Sequence, residues 1–463
     1  MADGSGPFDV VVLGGGSGGY ACALRAAELG KRVALIEKDK IGGTCLHRGC
    51  IPTKALLHSA EVADETRESA TFGVKARFEG IDMPAVHAFK EKIVSRAFRG
   101  VTGLIKARGV TIIEGFGRLA GPNRIAVTRD GREEVVEAAN IVLATGSAPK
   151  TLPGLEIDGE RIITSDHALT LDRVPGSVVV LGGGVIGVEF ASIWRSFGAE
   201  VTIVEALPHL LPAEEESSSK LLERAFRRRG IGYKLGVRFE GVKTTANGVV
   251  VTLEGGETLE AELLLVAVGR GAVTEGLGYE EAGVVIERGT VKVDQYCRTS
   301  VPGVYAVGDL IPTPQLAHTG FAEGILVAEH IAGLDPAPID YDGVPRITYS
   351  DPEVASVGIT SATARERGYE VTEFVYDLAG NPKSQILQTQ GAVKVVAAKD
   401  GPVLGVHMVG RRIGELVTEG QLIYNWEALP SEVAQLIHAH PTQSEAVGEA
   451  MLALAGKPLH VHD

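Results

Sequence analysis

One unit occurs twice in this chain, and no other feature constrains its fold as strongly. Val10-Val11-Val12-Leu13 runs into Gly14-Gly15-Gly16-Ser17-Gly18-Gly19, and Val178-Val179-Val180-Leu181 runs into Gly182-Gly183-Gly184-Val185-Ile186-Gly187. Each is an apolar strand opening into G-x-G-x-x-G. Each continues as a helix expected to end at a glycine, Gly30 or Gly198, sixteen residues past the first motif glycine. A second strand follows, 32–36 or 200–204, and leads to a glutamate, Glu37 or Glu205, 23 residues past that glycine in both copies. A lone glycine motif carries little weight, because glycine-rich turns are common. Strand, motif, helix, strand and acid falling in register twice is the dinucleotide fingerprint. Glycines let backbone approach a pyrophosphate, the helix N-terminus favours its charge, and the acid accepts hydrogen bonds from ribose hydroxyls. Two dinucleotide sites are therefore expected. The first is at Gly14, Gly16, Gly19 and Glu37, the second at Gly182, Gly184, Gly187 and Glu205.

The 463 residues suffice for about three domains. Glycine, 59 of them, is well above average and clusters after apolar runs without a period, which excludes collagen. With 45 Lys and Arg against 59 Asp and Glu, the net charge of −14 argues against a general nucleic-acid or anionic-membrane binder. No apolar run reaches the ~18 residues of a membrane helix. The N-terminus shows no basic stretch before an apolar core, so a cytoplasmic protein is expected.

Residues 50–105 read as mainly helical. The runs 141–146, 263–269 and 304–309 read as buried strands, the first two ending at Gly146 and Gly269 and the third passing through Gly308 to Asp309. Past about 345 alternating strands such as 392–397 and a helix at 445–455 carry no glycine fingerprint. The expected class is α/β: two Rossmann-like dinucleotide-binding domains followed by an α+β domain. Residues 1–150, joined by 270–345, would form the first domain, 151–270 the second, and 346–463 the third.

Four cysteines are too few for a disulfide framework. Cys45 and Cys50 lie in 42–54, GGTCLHRGCIPTK, with no further ligands at metal spacing. On a regular helix residues five apart have Cα atoms ~8.5 Å apart, while a disulfide needs under about 7 Å. A bridge therefore requires a bent helix, with Pro52 the expected source of distortion. Two packing cysteines are the alternative. Cys22 and Cys297 are read as packing residues.

Several segments together are similar to the pyridine-nucleotide disulfide oxidoreductases, and within them to the dihydrolipoamide dehydrogenase branch. They are 14–37, GGTCLHRGCIPTK, Ala144-Thr145-Gly146-Ser147, 182–205, Val307-Gly308-Asp309 with Leu316-Ala317-His318, 349–355, and 438–445, HAHPTQSE. The resemblance implies a homodimer with FAD in the first fingerprint and NAD in the second. It implies a redox-active disulfide, with Cys45 exchanging with substrate and Cys50 facing the flavin. Lys54, paired with Glu189, would lie near the flavin N5. Gly117, Thr145, Gly146, Ser147, Asp309, Gln315, Leu316, Ala317 and His318 would complete the FAD site, and Gly269 the NAD site. Taken alone, Lys54 reads as a surface lysine and Asp309 as a turn residue.

His440 is the candidate acid/base, oriented by Glu445. A carboxylate raises imidazole basicity, and a dithiol of pKa near 8.5 needs a base at neutral pH. Family analogy brings this pair to the thiols of the other subunit. Thr442-x-x-Glu445 also reads as a plain capping box, and His438 is the weaker candidate base. Departures from the family pattern are His47-Arg48, which puts positive charge beside the thiols, 271–273 after Arg270, and Gln443.

The implied reaction is flavin-dependent oxidation of protein-bound dihydrolipoamide with reduction of NAD⁺. The lipoyl-bearing acyltransferase of a 2-oxoacid dehydrogenase or glycine-cleavage assembly is the implied partner. An NADPH-dependent reductase of a glutathione- or mycothiol-type disulfide could use the same residues, whereas a flavoprotein scaffold would not need them. NAD is favoured by Glu205 and by 206–219, which contain no Lys or Arg but do contain Glu214, Glu215 and Glu216.

Overall fold

The computed structural model describes residues 7–461. They divide into two compact units, 1–55 with 84–150 and 269–341, and 56–83 with 151–268 and 342–463, less the terminal residues not described. In the first, strand β1 (Phe8–Leu13) lies between β2 (Val33–Glu37) and the end of Arg132–Leu143. The parallel order is Thr111–Glu114, β2, β1, Arg132–Leu143, Val304–Ala306. Val10, Val11 and Val12 are wholly buried. A parallel strand covered on both faces reads as a continuous apolar run for this reason, and each such side chain contributes roughly 1.5–3 kcal/mol.

The repeat extends to topology. In the second unit the parallel order is Ile231–Leu235, Glu200–Glu205, Ser177–Leu181, Leu263–Val266, Ile162–Thr164. Both units also carry a three-stranded antiparallel sheet, Phe116–Gly121 to Arg132–Leu143 in the first and Phe239–Thr244 to Ala261 in the second. The β1–β2 crossover helix α1 (Ser17–Glu28) packs against Ala317–Ile331 with almost no side chain between the backbones. A Cβ at Gly324 would fall 2.3 Å from the Gly18 carbonyl oxygen.

The helix expected around the two cysteines is broken. Helix α2 (Gly43–Arg48) ends at Gly49, with φ −149° and ψ −115°, and α3 (Cys50–Glu68) starts afresh. Gly49 makes the break. Pro52 sits in the first turn of α3, where its missing N–H costs nothing. Helix α4 (Met83–Ala107) completes the helical stretch, while 73–82 is not helical. In the second unit, 346–410 forms a five-stranded antiparallel sheet backed by Val417–Asn425 and Glu445–Leu454. Among the described residues no helix is long and apolar enough to cross a membrane.

Candidate functional site

Each fingerprint uses its three glycines for different reasons. A Cβ at Gly14 would meet the Ala144 carbonyl oxygen at 2.2 Å, and one at Gly19 would meet the Gly14 oxygen at 1.9 Å. Gly182 and Gly187 repeat this at 2.4 Å from Ala267 O and 2.0 Å from Gly182 O. These four are required by the chain itself. The middle glycines are not. A Cβ at Gly16 would meet only the Gly43 Cα, at 4.0 Å, and one at Gly184 would meet nothing within 4 Å. Their backbone is extended, with φ −70° and −76°. Open space there, at the mouth of α1 and of helix Val185–Phe197, is what a pyrophosphate needs. Neither helix has a side-chain N-cap or an acid in its first turn, so donors and positive helix end remain available to an anion.

The two strand-end acids behave alike. Glu37 accepts the Gly15 N–H at 2.7 Å and the Asp39 N–H at 2.8 Å. Glu205 accepts the Gly183 N–H at 2.6 Å and the Leu207 N–H at 2.8 Å. Each ties its loop to its strand and keeps lone pairs for ribose hydroxyls. The three acids beyond Glu205 do not extend that site. Glu214 pairs with Arg346 at 3.3 Å and accepts the Ser356 hydroxyl at 2.5 Å. Glu215 is buried, accepts the Ser361 N–H, and pairs with buried Lys394 at 3.0 Å. Glu216 pairs with Lys220 and His209. The expectation that these three acids favour NAD is corrected: they serve packing and surface ion pairs. In the same unit buried Glu189 accepts the Tyr349 N–H at 3.0 Å.

Cys45 and Cys50, on either side of the Gly49 break, are both thiols. The hydrogen bond to Cys50 and burial push the Cys45 thiol well above its ordinary value, while Lys54 and the Ser17 hydroxyl pull the other way. Lys54 is thus electrostatically coupled to the thiols. Tyr20, one turn into α1, is pushed up to about 12 by burial and by Cys45. Ser17 and Tyr20 were not singled out from sequence; their position in the first turn of the fingerprint helix was the available signal. Arg48 does not add charge at the thiols, because Asp39 engages it at 2.6 Å. His47 is held on the Ile41 carbonyl at 2.9 Å and edge-on to Phe98.

A hydrogen-bonded chain leads from the thiol helix to the turn that bears Asp309. Arg270 reaches Thr44 Oγ1 at 3.5 Å, donates from Nε to Ser147 Oγ at 2.8 Å, and holds the Ser147 carbonyl at 2.7 Å. Ser147 in turn donates to the Asp309 carboxylate. Thr145 donates to the Val273 carbonyl at 2.9 Å and bonds Tyr279 OH, so the 271–273 departure is part of a formed strand pair. Gly146 and Gly269 adopt left-handed φ of +70° and +104° at the two ends of that pair. Gln315 reaches the Asp309 carbonyl at 3.5 Å, and Leu316 precedes the helix that begins at Ala317 and His318, again without an acid in its first turn. Gly117 has a packing reason of its own, since a Cβ there would strike Leu13 Cδ1 at 2.4 Å.

In the second unit His440 Nδ1 lies 2.8 Å from Glu445 Oε1, and the ring is largely exposed. Glu445 Oε2 accepts the Thr442 N–H at 2.8 Å. Despite partial desolvation, these two bonds hold Glu445 below the usual carboxylate range. The capping box does not form: helix Glu445–Leu454 starts at Glu445 itself, and the Thr442 hydroxyl donates to Ala439 O. His438 is 13 % exposed and tied to Glu419 at 2.6 Å, which removes it as a solvent-facing base. Gln443 is buried and donates to the Arg411 carbonyl.

Residues 8–324 match the family model described as pyridine nucleotide-disulphide oxidoreductase, and 344–451 match the dimerisation domain of that family. The chain is 41% identical over 469 residues to the dihydrolipoyl dehydrogenase of Bacillus subtilis, covering 98% of this chain and 99% of that one. It is 41% identical over 473 residues to the mitochondrial dihydrolipoyl dehydrogenase of Pisum sativum, covering 100% and 94%. Among solved structures, LpdA of Mycobacterium tuberculosis superposes with a TM-score of 0.90 at 30% identity, covering 96% of this chain and 99% of that one.

Proposed function

The chain belongs to the pyridine nucleotide-disulphide oxidoreductases, and on that premise we propose how its residues carry out the oxidation of protein-bound dihydrolipoamide with reduction of NAD⁺. The enzyme is a dihydrolipoyl dehydrogenase using FAD and NAD(H). One observation carries the reading: two hydrogen-bonded thiols at a helix break, in the same unit as the first dinucleotide cradle, in a chain that aligns end to end with dihydrolipoyl dehydrogenases.

Gly14, Gly16, Gly19 and Glu37 hold the ADP half of FAD, and Asp309, the 315–318 segment and Thr145 to Ser147 hold the rest. Gly182, Gly184, Gly187, Glu205 and Gly269 hold NAD. Bound FAD supplies a two-electron relay between the thiol pair and the nicotinamide. In the oxidised enzyme Cys45 and Cys50 form a disulfide. A dihydrolipoyl thiolate attacks Cys45 Sγ, breaking the S–S bond, forming a mixed disulfide and releasing Cys50 as thiolate. The second substrate thiol attacks the substrate sulfur of that mixed disulfide, closing the lipoyl ring and releasing Cys45. Both substrate protons must be removed, and His440 of the partner subunit, oriented by its own glutamate, takes up the proton that activates the dithiol. Cys45 is then left as a thiol carrying the second substrate proton, and Cys50 as a thiolate. Lys54 stabilises the negative charge that builds on the thiols.

The protein functions as a homodimer that serves the lipoyl-bearing acyltransferase of a 2-oxoacid dehydrogenase or glycine-cleavage assembly, in the cytoplasm. Anaerobic spectral titration with dihydrolipoamide, glutathione disulfide, NADH and NADPH tests it. Reduction by dihydrolipoamide and reoxidation by NAD⁺ are expected. Reduction by NADPH together with turnover of glutathione disulfide would replace this reading with a disulfide reductase.

A further inference from the structure

A fully buried acid stands behind the turn that bears Asp309, and the reaction makes no direct use of it. Glu323 comes from helix Ala317–Ile331 and has no exposed surface. Its Oε2 accepts the Gly308 N–H at 2.6 Å, and its Oε1 accepts the Thr313 hydroxyl at 2.7 Å and the Tyr341 hydroxyl at 3.2 Å. Gly308 is left-handed, with φ +72°, and opens the short 3-10 turn Gly308–Leu310. The next residue is Asp309, from which the bonded chain runs through Ser147 and Arg270 to Thr44, the neighbour of Cys45. Burying a carboxylate is expensive, and the apolar face of this helix could have been completed by an aliphatic side chain. The acid is instead aimed at the one backbone N–H that sets the direction of Asp309.

We infer that Glu323 is a positioning residue for the flavin: its carboxylate clamps the Gly308 N–H, and so holds Asp309 at the orientation in which it grips the cofactor. This rests on the assignment of the first cradle and Asp309 to FAD. Burial pushes the Glu323 carboxyl up to about 7, against the three donated bonds. The other titratable groups facing it are Asp309 on the turn, whose charge opposes ionisation, Tyr341, and the buried thiol of Cys297, itself pushed up chiefly by burial and in part by Glu323. Cys297 is thus close enough to this acid to feel its charge. The clamp is strongest when the carboxyl is ionised, since a bond to a charged acceptor is about twice as strong as a neutral one.

The test uses holoenzyme, diluted and passed through a membrane that retains protein, with released flavin measured in the filtrate and far-UV melting recorded in parallel. Near pH 8.5, above the Glu323 pKa of about 7, Glu323→Gln is expected to release flavin with a dissociation constant about tenfold weaker than wild type, the ratio separating charged from neutral hydrogen bonds. Near pH 6 the two proteins should converge, because the native carboxyl is then protonated. The melts should stay within a few degrees. Tyr341→Phe removes a donor that favours the ionised form, so it should move the pH at which wild-type flavin retention falls to a higher value. Equal retention by wild type and Glu323→Gln across the pH range overturns the inference, as does a flavin loss matched at every pH by a lower melt. If Glu323→Gln does not accumulate, an unmoved midpoint in Tyr341→Phe overturns it. A wild-type protein that holds no flavin at any pH fails the cofactor assignment itself, and this inference with it.

Discussion

Glu445 holds His440 and the Thr442 backbone with its two carboxylate oxygens, at 2.8 Å each. One side chain thus orients the imidazole and fixes the loop that presents it. His440→Gln should lower dihydrolipoamide turnover by ~10²–10⁴-fold, the span of general acid–base catalysis, with little change in melting temperature, because the ring is exposed. Glu445→Gln should cost less in turnover and also lower the melting temperature. Steady-state rates and thermal melts on the two variants check this. A Glu445→Gln protein that melts lower at full activity would leave Glu445 a purely structural role.

Both thiols are required for a two-electron relay. Cys45→Ser and Cys50→Ser should each abolish turnover with dihydrolipoamide while the purified proteins remain yellow. Activity above a few per cent of wild type in either variant would contradict the relay.

Because Glu214 and Glu215 are taken up by Arg346, Ser356, Lys394 and Ser361, nucleotide discrimination should respond to Glu205 and not to them. Glu205→Gln is expected to narrow the ratio of kcat/KM for NAD⁺ over NADP⁺ by about tenfold, one charge–charge contact at a protein surface being worth a few kcal/mol at most. Glu215→Gln should leave that ratio unchanged and destabilise by about 1–3 kcal/mol, since the buried lysine loses one of its two carboxylates and keeps Glu373 at 3.2 Å. Kinetics with both nucleotides and denaturant melts separate the two. A changed ratio in Glu215→Gln would restore the acidic stretch to the cofactor site.

His438 is held above its ordinary value by its bond to Glu419, against burial. A histidine with a raised folded-state pKa contributes stability that is fully present below about 6.5, the unfolded value, and is lost as pH rises through the folded value. The melting temperature of wild type relative to Glu419→Gln should therefore be highest in mildly acidic buffer and decline toward alkaline pH. A difference that stays flat over that window would mean Glu419 does not raise the pKa of His438.

The repeat was legible because strand, turn and helix each have a local signature: apolar runs, glycines at fixed offsets, an acid at the strand end. The break between α2 and α3 was legible only as a need. Sequence placed the distortion at Pro52, while the chain bends at Gly49, whose close approach to Thr44 and Cys45 exists only once the segment has folded. The roles of Glu214, Arg270 and Glu323 are set by partners more than a hundred, or more than a dozen, residues away. Nothing local distinguishes an acid that meets a ribose from one that meets an arginine on another strand, so the acidic run beyond Glu205 was misread. Ser17 and Tyr20 stood beside the motif but reach the thiols only through the crossing of α1 with the thiol segment.

Gly16 and Gly184 differ from the other motif glycines in that neither packing nor dihedral angle demands them. Each is therefore a switch that can be thrown without disturbing the scaffold. Gly184→Ala should fold, stay yellow and still take two electrons from dihydrolipoamide, yet be unable to pass them on, so that the chain becomes a reservoir that fills once and stops. Gly16→Ala should instead fold colourless. The two halves of the electron path can be severed independently, each by one methyl group placed where the protein itself leaves room for it.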